Sequence, residues 1–221
     1  MICTTSRKTT RRTESWRWAT LALTALLGAG IAGEDGRAAA EPGPREVIEQ
    51  TVEEVLAVLR NSALSQGDRR AAIEAIAYER FDFTTMSKLV LARNWKRFSA
   101  EQRDEFLREF KDYLANSYGD RIDRYEQEEV EVVGEREEPR GDVTVQTRIV
   151  GGENAGAIVD YRLRGRTGRW LVIDVVVEGI SLVSNYRDQF REVLNNGGPD
   201  HLLVQLREKN ASGAVTASNG G

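Results

Sequence analysis

Histidine and cysteine decide first which chemistry is open to this chain, and it has one of each. His201 is the only histidine in 221 residues, and the only cysteine is Cys3. A Ser-His-Asp or Cys-His nucleophile would have to use His201. That residue falls in a helical stretch beside Leu202 and Leu203 and reads as a surface or structural histidine. One imidazole and one thiol do not build a zinc site of the usual ligand sets. No GxxxxGK[ST] or GxGxxG occurs, so the glycine loops that cradle nucleotide phosphates are missing. Carboxylates are plentiful. Asp174 and Glu178, at one end of an apolar run, could do acid–base work, but in so acidic a chain such pairs arise by chance. The residues therefore predict no catalytic group, no metal and no cofactor. Arg93, Lys96 and Arg97 around Trp95 suit a phosphate group or a partner surface; the plainer reading is a solvated helix end.

The first 40 residues stand apart. Arg7, Lys8, Arg11, Arg12 and Arg17 precede an uncharged apolar run of 14 residues, 19–32, and small residues then end in Ala38-Ala39-Ala40. A positive start, a short apolar middle and an Ala-x-Ala end predict a cleaved secretory signal over 1–40; cleavage after Ala32 and an uncleaved anchor are the alternatives. The run is shorter than the ~20 residues a spanning helix needs. Cys3 precedes the apolar run, so it is not placed for lipid attachment. Without that segment the chain keeps 25 basic and 32 acidic residues, a net charge near −7. So acidic a surface argues against nucleic acid, whose phosphates need a basic face, and against firm binding to anionic membranes. With 40% hydrophobic residues the remainder can bury a real core.

The elements follow from periodicity. Val47, Ile48, Val52, Val55, Leu56 and Leu59 recur at helical spacing over 45–60. A second helix carries Ala72, Ile73, Ile76 and Ala77 with Asp68 as its cap. A short third one follows Phe81-Asp82-Phe83, capped by Thr84 or Thr85, with Met86, Leu89 and Val90. Ser99 to Gln102 has capping-box spacing, and the helix behind it presents Phe106, Phe110, Tyr113, Leu114 and Tyr118 as far as Gly119. From 127 onward the texture becomes β. Strands are expected at 129–133, 143–150, 157–164 and 170–177, separated by glycine-rich turns short enough to demand antiparallel neighbours. The fourth strand is almost wholly apolar and is expected to be central. Two helices close the chain, about 184–194 and 199–209, the second with Pro199 in its first turn, and 211–221 reads as a flexible tail. Helices followed by a strand meander make the fold class α+β. A single domain is expected over 41–210, with a helical part at about 44–126 and the sheet with its closing helices at about 127–210.

Two stretches resemble a known family. One is Phe81-Asp82-Phe83, Met86, Leu89, Arg93-Asn94-Trp95, Ser99 to Gln102 and Phe106 to Phe110. The other is Trp170, Asp174, then Val177-Glu178-Gly179-Ile180-Ser181-Leu182-Val183, Asn185-Tyr186-Arg187 and Phe190. Together they resemble the MlaC family, also called the toluene-tolerance auxiliary family. The resemblance implies an NTF2-like curved antiparallel sheet with a helical subdomain. It implies a periplasmic, non-enzymatic carrier of phospholipid that maintains outer-membrane lipid asymmetry. The implied partners are an inner-membrane ABC transporter complex with an MCE-domain ring and an outer-membrane lipoprotein complex. A hopanoid-associated branch makes a hopanoid the other cargo. A monomer is expected.

Acyl chains would then enter a pocket between sheet and helices. The residues expected to line it are Val143, Val145, Val159, Tyr161, Leu163, Ile173 and Val175 from the sheet. Met86, Leu89, Phe106, Phe110 and Ile180 are expected to face them. Ordinary packed core is the alternative for each. Glu178-Gly179 is expected to shape the turn into the next helix, where glycine takes φ > 0. Tyr186 and Arg187 are expected to brace that helix against the sheet, with a place near the head group as the alternative. Two rivals remain: an enzyme using an acid such as Asp174, and an adaptor that bridges envelope complexes with a filled core.

Overall fold

The structure, a computed structural model, describes residues 41–123, 125 and 127–218. The expected export signal with Cys3, and residues 219–221 of the expected tail, lie outside the described residues. Among the described residues no helix is long and apolar enough to cross a membrane.

Four helices come first: α1 (Pro44–Arg60), α2 (Gln66–Arg80), α3 (Phe83–Leu91) and α4 (Ala100–Asp123), with a 3-10 turn over Ala92–Arg97. Their caps show where side-chain oxygens can reach the free N–H groups of a first turn. Ser99 Oγ accepts from Gln102 N at 3.2 Å and Gln102 Oε1 accepts from Ser99 N at 2.9 Å, the reciprocal box expected. The caps of α2 and α3 sit up to three residues earlier than expected. Ser65, not Asp68, caps α2, accepting from Asp68 N at 3.1 Å. Asp82, not a threonine, caps α3, accepting from Thr85 N at 2.8 Å and from the Thr85 hydroxyl at 2.6 Å. Gly119 does not end α4. A Cβ there would come within 3.3 Å of the Arg70 guanidinium carbon, so this glycine leaves room for the end of that side chain.

The sheet is a five-stranded antiparallel meander in the order β1 (Glu129–Glu137), β2 (Asp142–Val150), β3 (Ile158–Arg166), β4 (Arg169–Val177), β5 (Ile180–Ser181). Two connections are two-residue hairpins with both φ values positive: Thr167-Gly168 (49° and 86°) and Glu178-Gly179 (49° and 80°). That is the type I′ geometry whose twist matches antiparallel strands. The turn expected to lead straight into a helix therefore first makes β5. Bulges interrupt β1 at Val133 and β4 at Ile173. Strand β4 is not central: β3 flanks it on one side, and only the two residues of β5 on the other. Its apolar character answers to helices packed on it, chiefly α5 (Leu182–Ser218). Helix α5 breaks at Gly198 (φ 73°), just before Pro199.

Two cores result. Helices α3, α4 and α5 close one around Met86, Phe106, Phe110, Tyr186, Phe190 and Leu202. Arg187 ties α5 to α3 through the Leu89 carbonyl at 2.9 Å, and Tyr186 packs on Phe110 and Tyr113, so both brace helix on helix rather than on the sheet. The second core joins the first half of α1 (Val47, Ile48) to Val143, Val145, Leu163 and Val172 on one half of the sheet's inner face. Phe81 packs on both cores, and Asp82 N donates to the Val172 carbonyl at 2.9 Å, fixing the α2–α3 junction to β4.

Asp82 should make stability depend on pH. Burial would raise its pKa, but hydrogen bonds from the Thr85 hydroxyl and N–H, and from Arg166, outweigh that and hold the carboxyl below its ordinary value. A depressed carboxyl contributes stability above its unfolded pKa of about 3.9, lost as pH falls through the lower folded value. The gap in thermal midpoint between wild type and Asp82→Asn should therefore be full at neutral pH and shrink in acid. A gap that ignores pH would mean that the carboxylate's charge plays no part.

Candidate functional site

Beyond the α1–sheet core, the inner face of the sheet meets no side chain that fills the space. A cavity of ≈ 1260 Å³ lies there, walled by the sheet, α1, α2 and α4. Helix α1 contributes Val52, Val55 and Leu59 from its second half, α2 contributes Ile73 and Ala77, and α4 contributes Leu114, Ala115 and Tyr118. The sheet supplies Val130, Ile149, Ala157, Val159, Tyr161, Val175 and Val177. Alternation puts Val159 and Tyr161 on the same face of β3, in line with Ala157 just before the strand. From Ala157 to Tyr161 that face runs roughly 13 Å at 3.3–3.4 Å per residue.

These apolar side chains point inward yet stay only half-buried: Val52, Val55, Ile73, Ile149, Val159, Val175 and Val177 all keep accessible surface. Helix α2 has no fully buried residue at all. Close-packed interiors leave few voids larger than a water molecule. Half-buried aliphatic residues on every wall therefore mark a space shaped for something other than the protein's own side chains.

Polar groups are few and gather at the edges. At the sheet end, Glu128, Glu153, Asn154 and Glu178 border the cavity, with Arg70 and Glu74 from α2. Glu178 Oε1 accepts from Ile158 N at 2.5 Å, which anchors it at the strand end. Tyr125 donates to the Glu128 carbonyl at 3.1 Å and accepts from Arg60 Nε at 3.3 Å, closing the chain over the end of α1. Deeper in, Tyr161 is the one polar side chain that the sheet's inner face turns into the cavity. Burial raises its phenol pKa, so it stays protonated. Its hydroxyl has no hydrogen-bond partner among the described residues.

Four of the residues expected to line a pocket do so: Met86, Val159, Tyr161 and Val175. The others do not. Phe106 and Phe110 are fully buried in the helical core, and Leu89 packs against it. Val143, Val145 and Leu163 lie under α1, which fills that half of the sheet. Ile173 is the unpaired residue of the β4 bulge and is completely buried away from the cavity. Ile180 follows the hairpin and is 66% exposed. Missed were the second half of α1, all of α2 and the C-terminal half of α4. The α1 and α2 stripes were visible as amphipathic spacing, but not as walls of an empty space.

Of the two carboxylates that could do acid–base work, Glu178 borders the cavity and Asp174 does not reach it. Its Oδ1 accepts from Val183 N at 3.0 Å and its Oδ2 from the Ser181 hydroxyl at 2.6 Å, capping α5. His201 is exposed on α5, within 3.1 Å of Gln205. The geometry suits containment of an apolar body.

Known proteins agree in fold. The structure superposes with a TM-score of 0.71 on a phospholipid-binding protein from Ralstonia solanacearum, solved in complex with a phospholipid. That match has 22% identity and covers 78% of this chain and 99% of the other. The toluene tolerance protein ttg2D of Pseudomonas putida is 26% identical over 162 residues, 71% of this chain and 75% of that protein. The intermembrane phospholipid transport system binding protein MlaC of Haemophilus influenzae is 26% identical over 125 residues. The chain spans only 58% of that relative's length, and 54% of this chain takes part. The MlaC protein family matches residues 49–208, nearly the whole described domain. With family match, fold and sequence motifs in agreement, this chain belongs to the MlaC family.

Proposed function

We propose that this chain is a periplasmic phospholipid carrier that holds acyl chains in the cavity and shuttles between outer- and inner-membrane complexes. The observation that carries the reading is the unfilled apolar cavity of ≈ 1260 Å³ between sheet and helices. It exceeds the roughly 300–1,000 Å³ of ordinary small-ligand pockets. Two long acyl chains hold on the order of 30 methylenes, each worth ~0.8 kcal/mol on burial. Free passage through water is prohibitive for such a lipid, and a cavity of this kind removes that barrier without a reactive group. Names and folds of the relatives point the same way. The partners are an inner-membrane ABC transporter with an MCE-domain ring and an outer-membrane lipoprotein complex, met by the protein as a monomer.

Native mass spectrometry of the exported protein, with lipid extraction, tests this. The expected result is one two-chain phospholipid per protein. A hopanoid in its place would change the cargo. Protein that carries no lipid and takes none from phospholipid vesicles would end the carrier reading.

A further inference from the structure

The large cavity has a second edge, away from the acidic sheet end. A smaller polar pocket of ≈ 330 Å³ adjoins it there, between the start of α3, the middle of α4 and the start of β4. Tyr78, Phe81, Phe83 and Lys111 border both spaces. Lys111 is the one cation common to the two. Its ammonium lies 4.8 Å from the Tyr78 ring centre and 5.2 Å from that of Phe83. Aromatic faces attract a cation but do not neutralise it. Among the described residues no carboxylate lies within ion-pair distance of Lys111. Of the acids that line the smaller pocket, Asp82 is engaged with Thr85 and Arg166, and Glu79 lies 3.9 Å from Arg169; Asp112, next to Lys111 on α4, attracts it without pairing with it.

The two edges differ in charge. At the sheet end Glu74, Glu128, Glu153 and Glu178 outnumber Arg70 and repel a phosphate; at the smaller pocket Arg166 and Arg169 pair with Asp82 and Glu79, and Lys111 offers an ammonium with three donors. We propose that Lys111 receives the phosphate of the bound lipid, and that the head group lies in the smaller pocket while the chains fill the large cavity. This rests on the carrier reading and adds where the head group sits and what recognises it.

The test compares uptake of dioleoyl phosphatidylglycerol with that of dioleoylglycerol, which has the same chains and no phosphate. Wild type should prefer the phospholipid by about tenfold, as a charge-assisted hydrogen bond gives. Lys111→Met keeps the apolar stem and should bring the two lipids to within about twofold of each other. Lys111→Arg should keep the preference, and so should Lys88→Met, on an exposed face outside both pockets. Thermal melts verify folding, with Lys111→Gln as a second neutral variant. A Lys111→Met protein that still prefers the phospholipid overturns the proposal. So does a preference that rises in Glu153→Gln and ignores Lys111, which would put the head group at the sheet end. Equal uptake of both lipids by wild type overturns the phosphate assignment alone. Uptake of neither overturns the carrier reading with it.

Discussion

Val159→Glu is expected to empty the protein of lipid while leaving it folded. Val159 lies on the inner face of β3, lines the cavity and is only half-buried, so in the lipid-free protein a carboxylate there still meets solvent. The cost to folding should stay near the ~1 kcal/mol span of strand preferences. In the loaded protein the same carboxylate would be pressed against acyl chains with no partner. An unpaired polar group so buried costs several kcal/mol, so retention should fall by about 100-fold or more. Lipid-to-protein ratio and thermal midpoint, measured together, check this. A Val159→Glu protein that keeps its lipid would place the chains somewhere else.

The second large effect separates filled core from cavity wall. Phe110 is fully buried, stacked on Phe106 with ring centres 5.4 Å apart and edge-on to Tyr186 at 5.6 Å and Phe190 at 5.8 Å. Phe110→Ala should cost about 3–5 kcal/mol, because the tight surroundings cannot collapse into the void. Val175→Ala should cost under about 1 kcal/mol in the lipid-free protein, because Val175 is half-buried, faces the cavity and packs only in part against the α1–sheet core. Urea unfolding of both lipid-free variants gives the comparison. Equal costs would mean that the space beside Val175 is packed.

These two residues also show how far the sequence could be read. Both lie on inward-facing stripes, and both were expected to line one pocket. Periodicity states that a side chain points inward, because 3.6 and 2.0 residues per repeat fix direction relative to the element's own axis. It does not state what lies opposite. For Phe110 that is α5; for Val175 it is the cavity, with the α1–sheet core on one side only. Val143, Val145 and Val159 share the same inner side of the sheet, yet only Val159 meets the cavity, because α1 covers one half of the face and leaves the other open.

Local chemistry was legible from the residues alone. The Ser99–Gln102 capping box, the four longer strands, the start of a new helix at Pro199 and the α+β class each rest on a few neighbouring residues whose preferences agree. The caps of α2 and α3 were misplaced because several oxygen-bearing residues stood close together, and only the backbone path decides which reaches the third N–H. Lys111 carried no signal at all: a lysine in a charged helix looks solvated until Tyr78 and Phe83, from two other helices, close around it. The elements, their inward faces and the absence of a familiar catalytic motif follow from residue order. Tertiary structure alone decided which inward faces meet and which stay apart, because the gap between layers is set by how whole helices lie across the sheet, a quantity no local pattern encodes.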